Sequence, residues 1–188
     1  MKSIIVAITG ASGAIYGVRL LQILKEKHIK AYLTVTRAAE INLRLETGIT
    51  NKKLVKLATA SYAPDDLAAP IASGSFQVEG MVIVPCSTKT LATVANGISD
   101  NLIARAADVC LKERRPLVMV TRETPLNSIH LQNMLTLARA GAIILPASPA
   151  FYHKPDTINQ LIDHVVGKIL DSLGIEHSLF KRWQGLEN

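Results

Sequence analysis

Aromatic residues are scarce in this chain, 4% of 188 positions, and no run of lysine or arginine is interleaved with them. A surface for nucleic acid is therefore not expected, since base stacking on aromatics and backbone contacts by cations go together. Cysteine is scarcer still. Cys86 and Cys110 are the only two, and no Cys/His cluster has metal-ligand spacing, so neither a disulfide framework nor a metal site is indicated. No apolar run reaches membrane-spanning length. The apolar start, Met1 to Ile8, is too short for a signal peptide and turns into a patterned helix, so it reads as a first strand and the protein is expected to be cytoplasmic. Internal repeats and low-complexity linkers are missing too, which leaves residues 1–188 as one domain large enough to bury a full core.

What is abundant is apolar residue and positive charge. Hydrophobic residues make up 48% of the chain and mean hydropathy is +0.24, high for a monomer of this size. A parallel sheet covered on both faces accounts for part of that, and subunit interfaces for the rest. Twenty-one basic against fifteen acidic residues give a net charge of +6. Without a nucleic-acid signature, that charge points to phosphorylated small molecules.

The most informative stretch is Ile4 to Thr9 running into Gly10-Ala11-Ser12-Gly13-Ala14, followed at once by an amphipathic pattern. A strand that ends in a small-residue turn and opens a helix presents backbone N–H groups and a helix N-terminus to a phosphate. A turn that merely lets strand and helix pack closely uses the same residues. The spacing Gly10, Gly13, Gly17 is neither the dinucleotide fingerprint nor a P-loop. The next strand ends in Thr36-Arg37, where an NAD site needs an acidic residue for the ribose hydroxyls. A mononucleotide phosphate fits that ending better, the 2′-phosphate of NADP less well.

Strand-like and helical runs then alternate. Strands are predicted at Ile4–Thr9, Ala31–Thr36, Met81–Pro85, Leu117–Thr121 and Ala142–Leu145. Helices are predicted at Ala14–Lys27, Arg37–Glu46, Asn51–Ala60, from Ser87, and at Asp100–Arg114, Ser128–Ala140 and Thr157–Leu173, with Ser61–Phe76 irregular. The alternation predicts an α/β fold, an open doubly wound parallel sheet in a flavodoxin-like or Rossmann-like three-layer sandwich. Ligands in such sheets bind beyond the carboxyl ends of the strands. There the sequence places Gly10–Ser12, Thr36, Ser87-Thr88-Lys89-Thr90, Arg122-Glu123-Thr124-Pro125 and Pro146 to Tyr152. Ser87–Thr90, opening a helix, suit a second anion site; ordinary N-capping uses the same residue types, and the neighbouring glycine turn favours the anion site.

Assembled, these positions resemble the UbiX-type flavin prenyltransferases, of the flavodoxin-like flavoprotein family that also contains cysteine decarboxylases. The resemblance covers nearly the whole chain. It rests on Thr9–Ala14, Pro85-Cys86-Ser87-Thr88-Lys89-Thr90, the run Arg105 to Leu117, Arg122-Glu123-Thr124-Pro125, Pro149-Ala150-Phe151-Tyr152-His153 and Arg182-Trp183. It implies an enzyme that joins a dimethylallyl group from dimethylallyl phosphate to N5 and then C6 of reduced FMN. The prenylated FMN would pass to a UbiD-type decarboxylase. No metal is implied, and a homo-oligomer, a dodecamer with sites between subunits, is.

The resemblance assigns Gly10, Ala11, Ser12, Thr36, Ser87, Thr88, Lys89, Thr90 and Arg122 to FMN. It assigns Tyr152, Lys168, Arg105 and Glu46 to the prenyl phosphate, and Glu123, Lys112, Ser12 and Trp183 to catalysis. Thr36 stands where relatives often carry Ser, and Lys168 where Arg is expected, so one cation keeps its charge and loses its fork. The chemistry agrees with the assignment. Lys112, Arg122 and Lys168 would neutralise a leaving phosphate, Trp183 would face an allylic cation, and Glu123 would accept a proton. Residues 174–188, carrying Trp183, form a tail expected to close the site. His130 and His153 are read as scaffold. A cysteine decarboxylase is the runner-up, but its catalytic His and Asn/Met-bearing loop have no match here. A flavin-binding electron carrier or decarboxylase accessory subunit is the third reading, and it has no use for a second phosphate pocket.

Overall fold

Residues 2–185 are described by a computed structural model of the chain. A six-stranded parallel sheet runs in the order β3-β2-β1-β4-β5-β6. Its strands are β1 (Ser3–Ile8), β2 (Lys30–Val35), β3 (Ala60–Tyr62), β4 (Gly80–Cys86), β5 (Leu117–Thr121) and β6 (Ile143–Ile144). The helices are α1 (Ala14–Glu26), α2 (Arg37–Thr47), α3 (Asn51–Val55), α4 (Thr88–Ala95), α5 (Leu102–Lys112), α6 (Ser128–Arg139) and α7 (Ile158–Ser172). Without the short edge strand β3 the order is that of flavodoxin-like sheets, and with it the order is Rossmann-like.

Every residue of β1, β4 and β5 is buried, because period-2 alternation sends successive side chains into two different cores. Ile4, Val6 and Ile8 join Val82, Val84, Val118 and Val120 beneath α1 and α7. Ile5, Ala7, Met81, Ile83, Leu117 and Met119 join α4 and α5 on the other face. Each large side chain buried this way contributes roughly 1.5–3 kcal/mol. Gly17 lets α1 approach the sheet, since a Cβ there would lie 2.7 Å from Val84 O and from Ile8 Cδ1.

Two segments differ from expectation. The helix predicted over Asn51–Ala60 stops at Val55, and Ala60 instead starts β3, which also takes Ser61 and Tyr62 from the segment read as irregular. Three half-exposed edge residues carry no apolar run to betray a strand. The same irregular segment holds a short 3-10 helix at Pro70–Ala72. None of the helices among the described residues is long and apolar enough to cross a membrane.

Candidate functional site

The strand order reverses between β1 and β4, so a crevice opens beyond their carboxyl ends. Three helices start there. Thr36 caps α2, its hydroxyl accepting from Ala39 N; Ser87 caps α4, accepting from Thr90 N; Asn101 caps α5, accepting from Ala104 N. Gly10, Thr36, Ser87–Thr90 and Asn101 line one cavity of about 460 Å³, with Arg37 and Lys89 at its wall. Three positive helix ends, hydroxyls and two cations around one cavity make a strong anion site. The two loops are tied by Thr9, which the sequence reading quoted in a motif without giving it a role. The buried Thr9 hydroxyl donates to Pro85 O and accepts from Ser87 N, both at 2.8 Å. A hydroxyl ending a buried strand was the signal for that role.

The opening loop requires a correction. The N-terminus of α1 does not stand open to a phosphate, because the Glu46 carboxylate accepts from Gly13 N and Ala14 N, each at 2.9 Å. Gly10 still borders the anion cavity, and a Cβ on it would lie 2.6 Å from Ala38 Cβ, so α2 starts hard against the turn. Ala11 is buried and Ser12 half-buried in the same turn.

Arg122 and Glu123 follow β5 and line a second cavity of about 280 Å³ with Thr124, Pro146 and Ser148. Arg122 lies near Tyr16 of α1; burial raises the Tyr16 hydroxyl above its ordinary value, with the Arg122 charge opposing. Glu123 is exposed, its carboxylate accepting from Thr124 N.

The third group lies where the tail crosses α7. Tyr152 and Trp183 meet edge to face with ring centroids 5.9 Å apart, and Arg182 and His153 join them around a cavity of about 340 Å³. The His153 ring stacks on His164 at 5.2 Å, and Tyr152 sits 6.0 Å from His164. Burial, followed by the His153 and Lys168 charges, lowers the His164 pKa below the usual histidine value. Lys168 is one turn on from His164, its amine 3.4 Å from Asp171 Oδ2. Asp171 was not singled out from sequence, yet it is the hub. His177 and Arg182 also bind it, at 3.1 and 2.7 Å, and the hydrogen bond from Arg182 leads the effects that hold its carboxyl below the usual range.

Two predicted residues stand apart. Arg105 donates to Ala72 O and pairs with Asp108 on α5. Lys112, at the far end of α5, pairs with Glu113 and precedes the amino end of β5. That is the sheet edge opposite the crevice, so within one chain Lys112 does not reach Arg122. No group of three or more His, Cys, Asp or Glu that could hold a metal occurs among the described residues. The part of the tail at 186–188 lies outside the described residues.

Known proteins share both the sequence and this geometry. The Flavoprotein family model matches residues 1–174. Flavin prenyltransferase UbiX of Methanothermobacter thermautotrophicus is 51% identical over 185 residues, covering 98% of this chain and 97% of that one. A crystal structure of AnUbiX (PadA1) in complex with FMN and dimethylallyl pyrophosphate is 47% identical with a TM-score of 0.97 over 99% of both chains. A dodecameric FMN-dependent UbiX-like decarboxylase from Escherichia coli O157:H7 is 47% identical with a TM-score of 0.95, over 97% of this chain and 100% of that one. With half its residues shared along its length, this chain belongs to the Flavoprotein family and, within it, to the UbiX-type flavin prenyltransferases.

Proposed function

We propose that this chain is a flavin prenyltransferase that transfers a dimethylallyl group from dimethylallyl phosphate to N5 and C6 of reduced FMN, for use by a UbiD-type decarboxylase. One observation carries the reading. The chain holds two separate phosphate-suited places, the helix-start cradle at Thr36 and Ser87 beyond the strand ends and the cation–aromatic group of Tyr152, Lys168 and Trp183 where the tail lies along α7. A carrier of electrons needs only the first. The flavin phosphate fits the cradle by charge and donor set, and the bound flavin supplies the nucleophile.

The chain's own residues do the rest. Thr36, Ser87 and Thr90 offer hydroxyls and helix N–H groups to the flavin phosphate, with Gly10, Ala11, Ser12, Thr88 and Lys89 around them, and Arg122 anchors the flavin from β5. Tyr152 and Lys168 hold the prenyl phosphate and neutralise charge as the allylic C–O bond breaks. Trp183 presents an aromatic face to the cation that develops, worth about 2 kcal/mol once water is excluded. Glu123 accepts the proton released as the ring aromatises. Glu46 keeps the Gly13 turn in place beside the substrate. The tail closes over these groups.

Lys112 acts only if a neighbouring copy supplies it, and the same holds for Arg105. That favours a closed homo-oligomer, a dodecamer as in the E. coli relative, with sites between subunits. Exposed apolar residues on α6, Ile129 (67%) and Leu131 (53%), suit such contacts. The reaction is placed in the cytoplasm. Incubating the protein anaerobically with reduced FMN and dimethylallyl phosphate should yield a flavin heavier by one dimethylallyl group. Unchanged flavin by mass spectrometry would refute the reading.

A further inference from the structure

We infer that Arg182 is a second prenyl-phosphate ligand, paired with Lys168 across Asp171, and that Asp171 is the positioning residue for both cations. The inference rests on the prenyltransferase reading of the site.

The geometry is that of a shared carboxylate. Arg182 spans both Asp171 oxygens, Nη2 to Oδ1 at 2.7 Å and Nη1 to Oδ2 at 3.3 Å, while Lys168 meets Oδ2 at 3.4 Å. His177 contributes to the frame. Its Nδ1 accepts from Leu179 N, so the ring proton sits on Nε2 and points at Asp171 Oδ1, 3.1 Å away. Two cations against one carboxylate leave one positive charge uncompensated.

Both cations retain donors to spend. Arg182 has five N–H groups and gives two to Asp171, and Lys168 has three and gives one. Their side chains are 56% and 52% exposed, while Asp171 beneath them is 22% exposed. Arg182 lines the cavity that Tyr152 and Trp183 form. Its guanidinium is seated over the Phe180 ring at 5.7 Å from the centroid, and Phe180 in turn packs against Gly167, next to Lys168. A guanidinium held by a fork on one side and a ring on another presents its remaining N–H groups in a fixed direction, as bidentate phosphate binding requires. The arrangement returns to this chain the planar fork that position 168 lacks.

The test uses the full-length, FMN-loaded protein with dimethylallyl phosphate as titrant and substrate. Arg182→Gln and Asp171→Asn should each raise the KM for dimethylallyl phosphate and its calorimetric Kd about tenfold, the loss of one charge-assisted contact, while kcat and FMN affinity stay within about twofold. Asp171→Glu should recover most of the loss, and Arg182→Lys only part of it, because the charge returns without the fork. Fluorescence of Trp183, the chain's one tryptophan, reports whether the tail remains seated in each variant. A KM and Kd unchanged in Arg182→Gln, with wild-type protein forming product, would overturn the inference and leave the prenyltransferase reading intact. No product from wild-type protein, with dimethylallyl phosphate still bound and weakened in Arg182→Gln, would overturn the reading and keep the clamp. Equal losses in Asp171→Asn and Asp171→Glu would show a structural role only and remove Asp171 from the proposal.

Discussion

Phe180 occupies the space a side chain on Gly167 would need: a Cβ there would lie 2.4 Å from Phe180 Cε1 and 2.7 Å from His177 Cε1. The missing side chain on α7 is what lets the tail lie down, and with it Arg182 and Trp183. Gly167→Ala should therefore displace the tail at a cost of about 1–3 kcal/mol, the usual range for forcing a methyl into a packed contact. Trp183 fluorescence should shift and proteolysis after residue 174 should quicken. An unaltered emission spectrum would show that the tail is held elsewhere.

Removing the cradle hydroxyls tests the first phosphate place. Thr36→Ala and Ser87→Ala each delete an N-cap, costing about 0.5–2 kcal/mol of stability by thermal unfolding. Each should also weaken FMN binding, read by flavin fluorescence titration, and leave the Kd for dimethylallyl phosphate alone. Arg122→Ala should weaken FMN binding and activity together.

Division of labour in the second place is tested by Lys168→Ala and Glu123→Gln. Lys168→Ala should raise the KM for dimethylallyl phosphate ten- to a hundredfold, from roughly 1.5–3 kcal/mol of lost charge-assisted contact, with FMN affinity nearly intact. Lys168→Arg should be active. Glu123→Gln should bind both ligands and turn over slowly, because the amide keeps the shape and cannot take the proton. Native turnover by Glu123→Gln would remove Glu123 from the proton step.

Acid should release the tail at a definite place on the pH scale. Asp171 is held below its ordinary value of 3.8 by the Arg182 hydrogen bond and the neighbouring cations. Its stabilising contribution is complete above that value and is lost as the pH falls through the lower folded value. Trp183 emission should hold steady from neutrality to about pH 4 and change below it. In Asp171→Asn the altered emission should already be present at neutral pH.

Both thiols should be silent in the folded protein. Burial pushes Cys86 up to about 12 and Cys110 up to about 11, leaving almost no thiolate at neutral pH. A thiol reagent should find neither cysteine in native protein and both in guanidinium.

The doubly covered strands were legible because β1, β4 and β5 are apolar on both sides, and nothing but a sheet with helices on each face explains that. The cradle was legible for a related reason: hydroxyls at Thr36 and Ser87 end strands and open helices. The short edge strand β3 was not, since a strand that only pairs and buries little writes no pattern. Asp171 was hidden because its four donors come from α7 and the tail, and their meeting depends on a glycine four residues earlier. Which copy supplies Lys112 was not legible for the opposite reason: a motif lists residues in order, while a helix sends its two ends to opposite edges of a sheet.

Glu46, seated on the first turn of α1, has a consequence for ligand size. In a dinucleotide site of this strand order, the pyrophosphate takes those N–H groups. Here the acceptor is part of the chain, so it competes from an effective concentration of millimolar or more and never dissociates away. A larger nucleotide reaching that turn would have to evict a tethered carboxylate before gaining any contact. The fold thus keeps the architecture of a two-phosphate site while its own side chain reserves half of it.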